Sequence, residues 1–302
     1  MESLRAKLDV IADDCSRRRA IRIGRWLIAG VLVATLAACG TQFVYNRLDW
    51  LTHFYLSSQV SLDGPQSSEL RMNLRDFFVW HRRTELPRYA GFLERFAGAA
   101  GRPLTREQIA NGSGEIESFV RTSVSRGAPD AARWLNGLRA QQVDELFVSF
   151  EKKEQESRDE HCGVDPAKRR ERSVERFIDN VEDWTGRLRR AQRELIATRL
   201  ARTTGDPCLD VSAQERSRVE FRALVDRHRG QPDFADRIAT FMTRPEDRWE
   251  PEYREAYAAN RAIILELMAD LDQTMSPEQR RRSISRLRDF AHELRALAEA
   301  PS

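Results

Sequence analysis

Apolar residues recur every three or four positions along nearly the whole chain, the spacing of helices that bury one face. Phe43, Val44, Leu48, Leu51 and Phe54/Tyr55 form one stripe. Leu70, Leu74, Phe77, Phe78 and His81 form the next, behind Asp63-Gly64-Pro65. Pro87 falls inside that pattern and is expected to kink or end the helix, because it lacks an N–H and its ring crowds the preceding turn. Tyr89, Phe92, Leu93 and Phe96 resume the stripe up to the break at 98–103. Ile109, Ile116, Phe119, Val120 and Val124 follow, with a stop expected at Gly127-Ala128-Pro129-Asp130. Trp134, Leu135, Leu138, Leu146, Phe147 and Phe150 come next.

Asp165 as N-cap and Pro166 at the first helical position open a segment read as one helix over 166–202. Stripes through Val219 and Leu224, Phe234 and Ile238, Trp249 to Leu271, and Ile284 to Leu297 complete the chain. No alternating strand pattern interrupts them. The expectation is an all-α fold: about nine amphipathic helices set as antiparallel hairpins in an extended bundle. Thr105…Gln108, Ser212…Glu215 and Ser276…Gln279 fit the S/T-x-x-E/Q capping box and predict helix starts.

The first 38 residues break this pattern. Residues 1–25 are polar and carry seven basic side chains, and an apolar run of 13 residues, Trp26 to Ala38, follows. That run is shorter than the ~20 residues a spanning helix needs. A basic segment, a short apolar segment and small residues before a cut describe a secretory signal. Leu36-Ala37-Ala38-Cys39 resembles the lipobox of bacterial lipoproteins. The resemblance implies removal of residues 1–38 and acyl chains on Cys39, which would anchor a mature domain of residues 39–302 to a membrane. Gly40 in place of Asp after the cysteine implies, by likeness to sorted lipoproteins, the outer membrane and its periplasmic face.

This cut changes the charge. The whole chain has 50 basic and 47 acidic residues and a net charge of +3. The leader carries seven of the former and four of the latter, so the remainder holds 43 of each. A neutral exported body argues against nucleic acid as a partner.

Cys162 and Cys208 are the cysteines left besides Cys39, an even number suited to a disulfide in an oxidising compartment. One helix over 166–202 would hold them ~55 Å apart, which opposes the bridge. They meet only if the helix folds back near Gly186. With His161 they lack the paired spacing of a zinc site, and no metal or other cofactor is expected.

The densest group of chemical side chains is Trp80, His81, Arg82, Glu85 and Tyr89. His81 and Glu85 share a helix face at four-residue spacing and could act as an acid/base pair. The plainer alternative is a hydrogen-bonded knot in a packed helix, since two groups make neither a triad nor a metal shell. Nucleophile elbows, P-loops and dinucleotide fingerprints are absent from the sequence. Arg-rich runs such as 168–172 alternate with acids and read as solvated, ion-paired helix faces.

Two further likenesses bear on role. Leu104-Thr105-Arg106-Glu107-Gln108 and, less closely, Met275-Ser276-Pro277-Glu278-Gln279 resemble the L-T-x-x-Q motif of small periplasmic helical chaperones. The segments around Tyr45-Asn46, Asp49-Trp50 and Tyr55, Trp80 to Tyr89, and Ser276 to Arg280 resemble an uncharacterised family of helical bacterial lipoproteins. This second resemblance implies fold and compartment but no catalytic residues. Together they lead to a non-enzymatic envelope lipoprotein that binds envelope proteins or unfolded chains, with an envelope enzyme built on His81 and Glu85 as the alternative.

Overall fold

The computed structural model describes residues 44–204 and 207–300. The leader, its cleavage point, Cys39 and Phe43 lie outside the described residues. The chain divides into two compact units at Leu48, and the second, from Asp49 on, carries the architecture below. Ten α-helices and no strand occur among the described residues, as the apolar periodicity predicts. They are α1 (Leu48–Gln59), α2 (Gly64–Ala99), α3 (Arg106–Gly137), α4 (Ala140–His161), α5 (Pro166–Thr185), α6 (Arg190–Leu200), α7 (Pro207–His228), α8 (Phe234–Thr243), α9 (Pro251–Gln273) and α10 (Pro277–Glu299). A single 3₁₀ turn, Pro245–Arg248, joins α8 to α9.

Four boundaries differ from the sequence expectation, three of them for a packing reason. Helix α2 runs through Pro87 for 36 residues, and α3 runs through Pro129 for 32. An interior proline costs roughly 3 kcal/mol. Here the flanking turns are held from outside: Leu86 and Ala90 are buried beside Pro87, and Ala128 and Ala132 beside Pro129. Most helical stability in a folded protein comes from such packing.

The expected single helix over 166–202 instead breaks after Thr185. Gly186 sits at φ +77°, a left-handed conformation that glycine enters without strain. Its Cα lies so close to Arg282 that a Cβ there would meet the Arg282 side chain at 3.2 Å. Ser212, expected as an N-cap, falls inside α7, which already begins at Pro207.

Packing joins both neighbouring and distant segments. The most extensive pairing sets α2 against α10. The two run antiparallel: Arg82 meets the carbonyl of Leu297, while the carbonyls of Ala100 and Arg102 meet Arg280. Helix α3 lies on α2, α8 and α9, and α4 lies on α7. Helices α5 and α6 form a hairpin that reaches α10 through α5 and α9 through α6.

Small residues set the close approaches. Gly112 of α3 sits where a Cβ would be 3.1 Å from the Phe96 ring of α2. Ala128 and Ala132, one turn apart, meet Phe234 and Ile238 of α8 in one buried cluster with Leu135, Leu146, Phe147 and Val225. A second cluster joins Ile178, Leu188, Ile196 and Leu200 of the α5–α6 hairpin to Leu267 and Leu271 of α9.

Candidate functional site

The Trp80–Tyr89 segment occupies the middle of α2, with Arg82, Glu85 and Leu86 buried, Trp80, His81 and Tyr89 half-buried, and Arg83, Thr84, Pro87 and Arg88 exposed. The Nη1 of Arg88 donates to both carboxylate oxygens of Glu85, at 2.8 and 2.9 Å, and Glu85 is wholly buried. Arg88 also spreads over the Phe119 ring of α3, 5.3 Å from its centroid. The Nε2 of His81 is 3.2 Å from the Tyr89 hydroxyl, which is itself 3.2 Å from Oγ of Ser123 on α3. Phe77, Trp80 and Tyr89 surround the imidazole, with ring centroids 5.5–6.2 Å away. Arg82 is buried and donates from Nη1 to the Leu297 carbonyl of α10 at 3.4 Å.

Burial dominates the protonation states here. It pushes the His81 pKa below its ordinary value, and the Glu85 carboxylate offsets this only in part. Burial likewise raises the Tyr89 phenol. At neutral pH His81 is therefore a neutral imidazole, able to donate or accept one hydrogen bond at each nitrogen. The structure thus brings the five candidate side chains together as a polar seam that ties α2 to α3 and α10. Among the described residues, no group of three or more His, Cys, Asp or Glu side chains is placed to hold a metal ion.

Cys162 and Cys208 are joined in a disulfide with their Cα atoms 5.4 Å apart. The turn at Gly186 returns α6 alongside α5 and so brings the two ends of the segment together. A continuous helix would have kept them apart.

The late Ser276–Arg280 motif has a structural account. Ser276 accepts the Gln279 N–H at 3.1 Å, and Gln279 Oε1 accepts the Ser276 N–H at 3.0 Å, a complete capping box. Arg280 donates from Nη1 to the carbonyls of Ala100 and Arg102, and from both terminal nitrogens to the Asp272 carboxylate. Asp272 in turn accepts the Leu104 N–H at 2.6 Å. One buried ion pair therefore fixes the end of α2, the start of α3 and the junction of α9 with α10.

Sequence reasoning missed a larger pattern. Glutamines at the third position of four helices pair reciprocally, two by two. Gln66 of α2 and Gln142 of α4 donate to one another's Oε1 at 2.9 and 2.7 Å. Gln192 of α6 and Gln279 of α10 do the same, both at 3.1 Å. Each Oε1 also accepts the N–H of its own helix's N-cap, at 2.8–3.0 Å. Each Nε2 also donates to the carbonyl two residues before its partner's N-cap: Gly137, Ser61, Thr274 and Arg187.

The sequence signal is an apolar residue four positions before Gln. It occurs at Leu62/Gln66, Leu104/Gln108, Leu138/Gln142, Leu188/Gln192 and Met275/Gln279. Two of these starts place Arg139 or Arg189 at the N-cap, where no side-chain oxygen can accept, so the usual capping signal does not reveal them.

A family model described as a family of unknown function (DUF6279) matches residues 58–254. No curated protein and no solved structure matches the chain.

Proposed function

The chain belongs to DUF6279, a family of unknown function, and from that premise we propose that it is a lipid-anchored protein of the bacterial cell envelope that works by binding rather than by catalysis. The observation that carries this reading is Leu36-Ala37-Ala38-Cys39 at the end of a basic, then apolar, leader. Acylation of Cys39 would leave the helical domain on the periplasmic face of the outer membrane. No helix among the described residues is long and apolar enough to cross a bilayer. The Cys162–Cys208 disulfide suits an oxidising compartment.

Binding of envelope proteins or unfolded chains is favoured over an envelope enzyme by the state of Glu85. Both of its oxygens are engaged by Arg88 and the residue is wholly buried, so it lacks the access that a general acid or base needs. Metabolic labelling with a palmitate analogue tests the anchor: the native chain takes label and Cys39→Ser does not. In vivo crosslinking of the lipidated protein identifies what it binds. Full rescue of a deletion strain by His81→Ala is the expected outcome, and loss of function by a folded His81→Ala protein would restore the enzyme reading.

A further inference from the structure

Helix α1 has its apolar side outward. Trp50, Leu51, Phe54 and Tyr55 share one face by helical spacing and are 56%, 40%, 62% and 49% exposed. Trp50 and Phe54 stack on each other at 5.6 Å, forming a continuous aromatic surface. The side turned toward the protein carries Thr52, His53, Leu56 and Ser57 instead, and the His53 ring nitrogen meets Oγ of Ser67 in α2 at 2.9 Å. No residue of α1 is fully buried. A soluble surface helix has the opposite polarity, and an exposed cluster of large apolar side chains marks a contact surface.

Two observations on the chain say what covers it. The face begins eleven residues after Cys39. Fully extended at ~3.5 Å per residue, that tether reaches no more than about 38 Å, less than the ~40–45 Å thickness of a bilayer with its headgroups. The composition of the face is also that of the membrane–water boundary, where Trp and Tyr rings concentrate and lysines reach to the phosphates. Lys153 of α4 borders the face, with its ammonium over the Tyr55 ring at 3.9 Å.

We propose that the Trp50–Leu51–Phe54–Tyr55 face of α1 lies in the headgroup layer of the membrane that holds Cys39, as a second, non-covalent contact that fixes how the helical domain sits on the bilayer. This rests on the lipid-anchor reading above and adds to it a surface and an orientation.

The test uses the full lipidated protein in vesicles of phosphatidylethanolamine and phosphatidylglycerol, some carrying brominated acyl chains, with mass spectrometry of the Cys39 peptide on the same sample. Native protein should show tryptophan quenching by the brominated lipid, and Trp50→Phe, with unchanged far-ultraviolet circular dichroism, should lose most of it. Equal quenching in the two proteins, or none, on a chain whose Cys39 is acylated overturns the proposal and leaves the anchor standing. Absence of quenching with self-association abolished by Phe54→Ser assigns the face to a second copy and also overturns it. Quenching that depends on Trp50 in a chain without acyl groups removes the anchor reading and keeps the membrane face. Neither acylation nor quenching removes both.

Discussion

The two reciprocal glutamine pairs are built alike and set differently. Each joins one helix that starts with an oxygen-bearing N-cap and a proline (Asp63-Gly64-Pro65, Ser276-Pro277) to one that starts with Leu-Arg (Leu138-Arg139, Leu188-Arg189). All four side-chain amides make equivalent bonds. Around the Gln66–Gln142 pair the supporting charges stand in water: Arg139 meets Asp63 at 2.8 Å, with side chains 58% and 45% exposed. Beside the Gln192–Gln279 pair they are enclosed: Arg280 and Asp272 are 13% and 8% exposed. The Arg189 guanidinium there donates to the Thr274 carbonyl, since Ser276 offers no charge. One hydrogen-bond design therefore serves once beside exposed charges and once beside enclosed ones, although Gln142 is as buried as Gln192 and Gln279.

The largest test of this contrast is on the ion pairs. Arg280→Ala leaves Asp272 buried without its cation and should cost about 3–5 kcal/mol, whereas Arg139→Ala should cost less than about 1 kcal/mol. Urea unfolding of the two variants reads both, and equal losses would dissolve the distinction. Next is the disulfide, which closes the α5–α6 hairpin that carries Gln192 and has no counterpart near Gln142. Cys208→Ser should lower stability by about 2–4 kcal/mol, with hydrogen exchange accelerating first in α5 and α6.

The glutamines themselves come third. Gln192→Leu keeps volume but leaves the Arg189 N–H and the Gln279 amide short of partners, for a loss of about 1–3 kcal/mol. Gln66→Leu likewise deprives the buried Gln142 amide of its partner, but the Asp63 N–H it also frees is at an exposed position that water reaches, so the loss should fall at the lower end of that range, about 1 kcal/mol. A double-mutant cycle on each pair would show a larger coupling for Gln192–Gln279.

The smallest effect is in acid. Asp63 is held below its ordinary pKa, chiefly by the Gln66 N–H, with burial opposing and Arg139 assisting. A lowered folded-state pKa gives stability above the unfolded value of 3.8 that is lost as pH falls through the folded value. The advantage of native protein over Asp63→Asn should accordingly shrink below pH 3.8, while Ser276→Ala shows a constant deficit. Thermal midpoints taken from about pH 6 to about pH 2 would separate the two caps.

Local rules made much of this legible. Apolar spacing located nearly every helix, and Thr105 and Ser276 marked starts because their hydroxyls can accept backbone N–H groups. The errors came where distant segments decide. Pro87 and Pro129 end helices in isolation, but neighbours packed on both adjoining turns hold these helices straight through. Gly186 could be named only as the place where a long helix would have to fold back for Cys162 and Cys208 to meet, and the approach of Arg282 and the return of α6 make it a turn.

The candidate segment divided the same way. The spacing of His81 and Glu85 correctly placed them on one helix, but it could not foresee that Glu85 would be taken by Arg88 or that His81 would reach Tyr89 and Ser123. The Gln pairing escaped because the paired members are 76 and 87 residues apart in the chain, and only its fold shows which Gln faces which.

The pairing of α2 with α10 has a consequence in time. These helices are separated by about 180 residues, so the longest of the described helices stays uncovered until nearly the whole chain has reached the compartment in which it folds. A nascent chain therefore cannot finish its fold until almost its last residue has been made. A chain stopped before Pro277 would hold nine of the ten described helices and still expose the side of α2 that α10 conceals, so early termination near the end should yield aggregate rather than a smaller working protein.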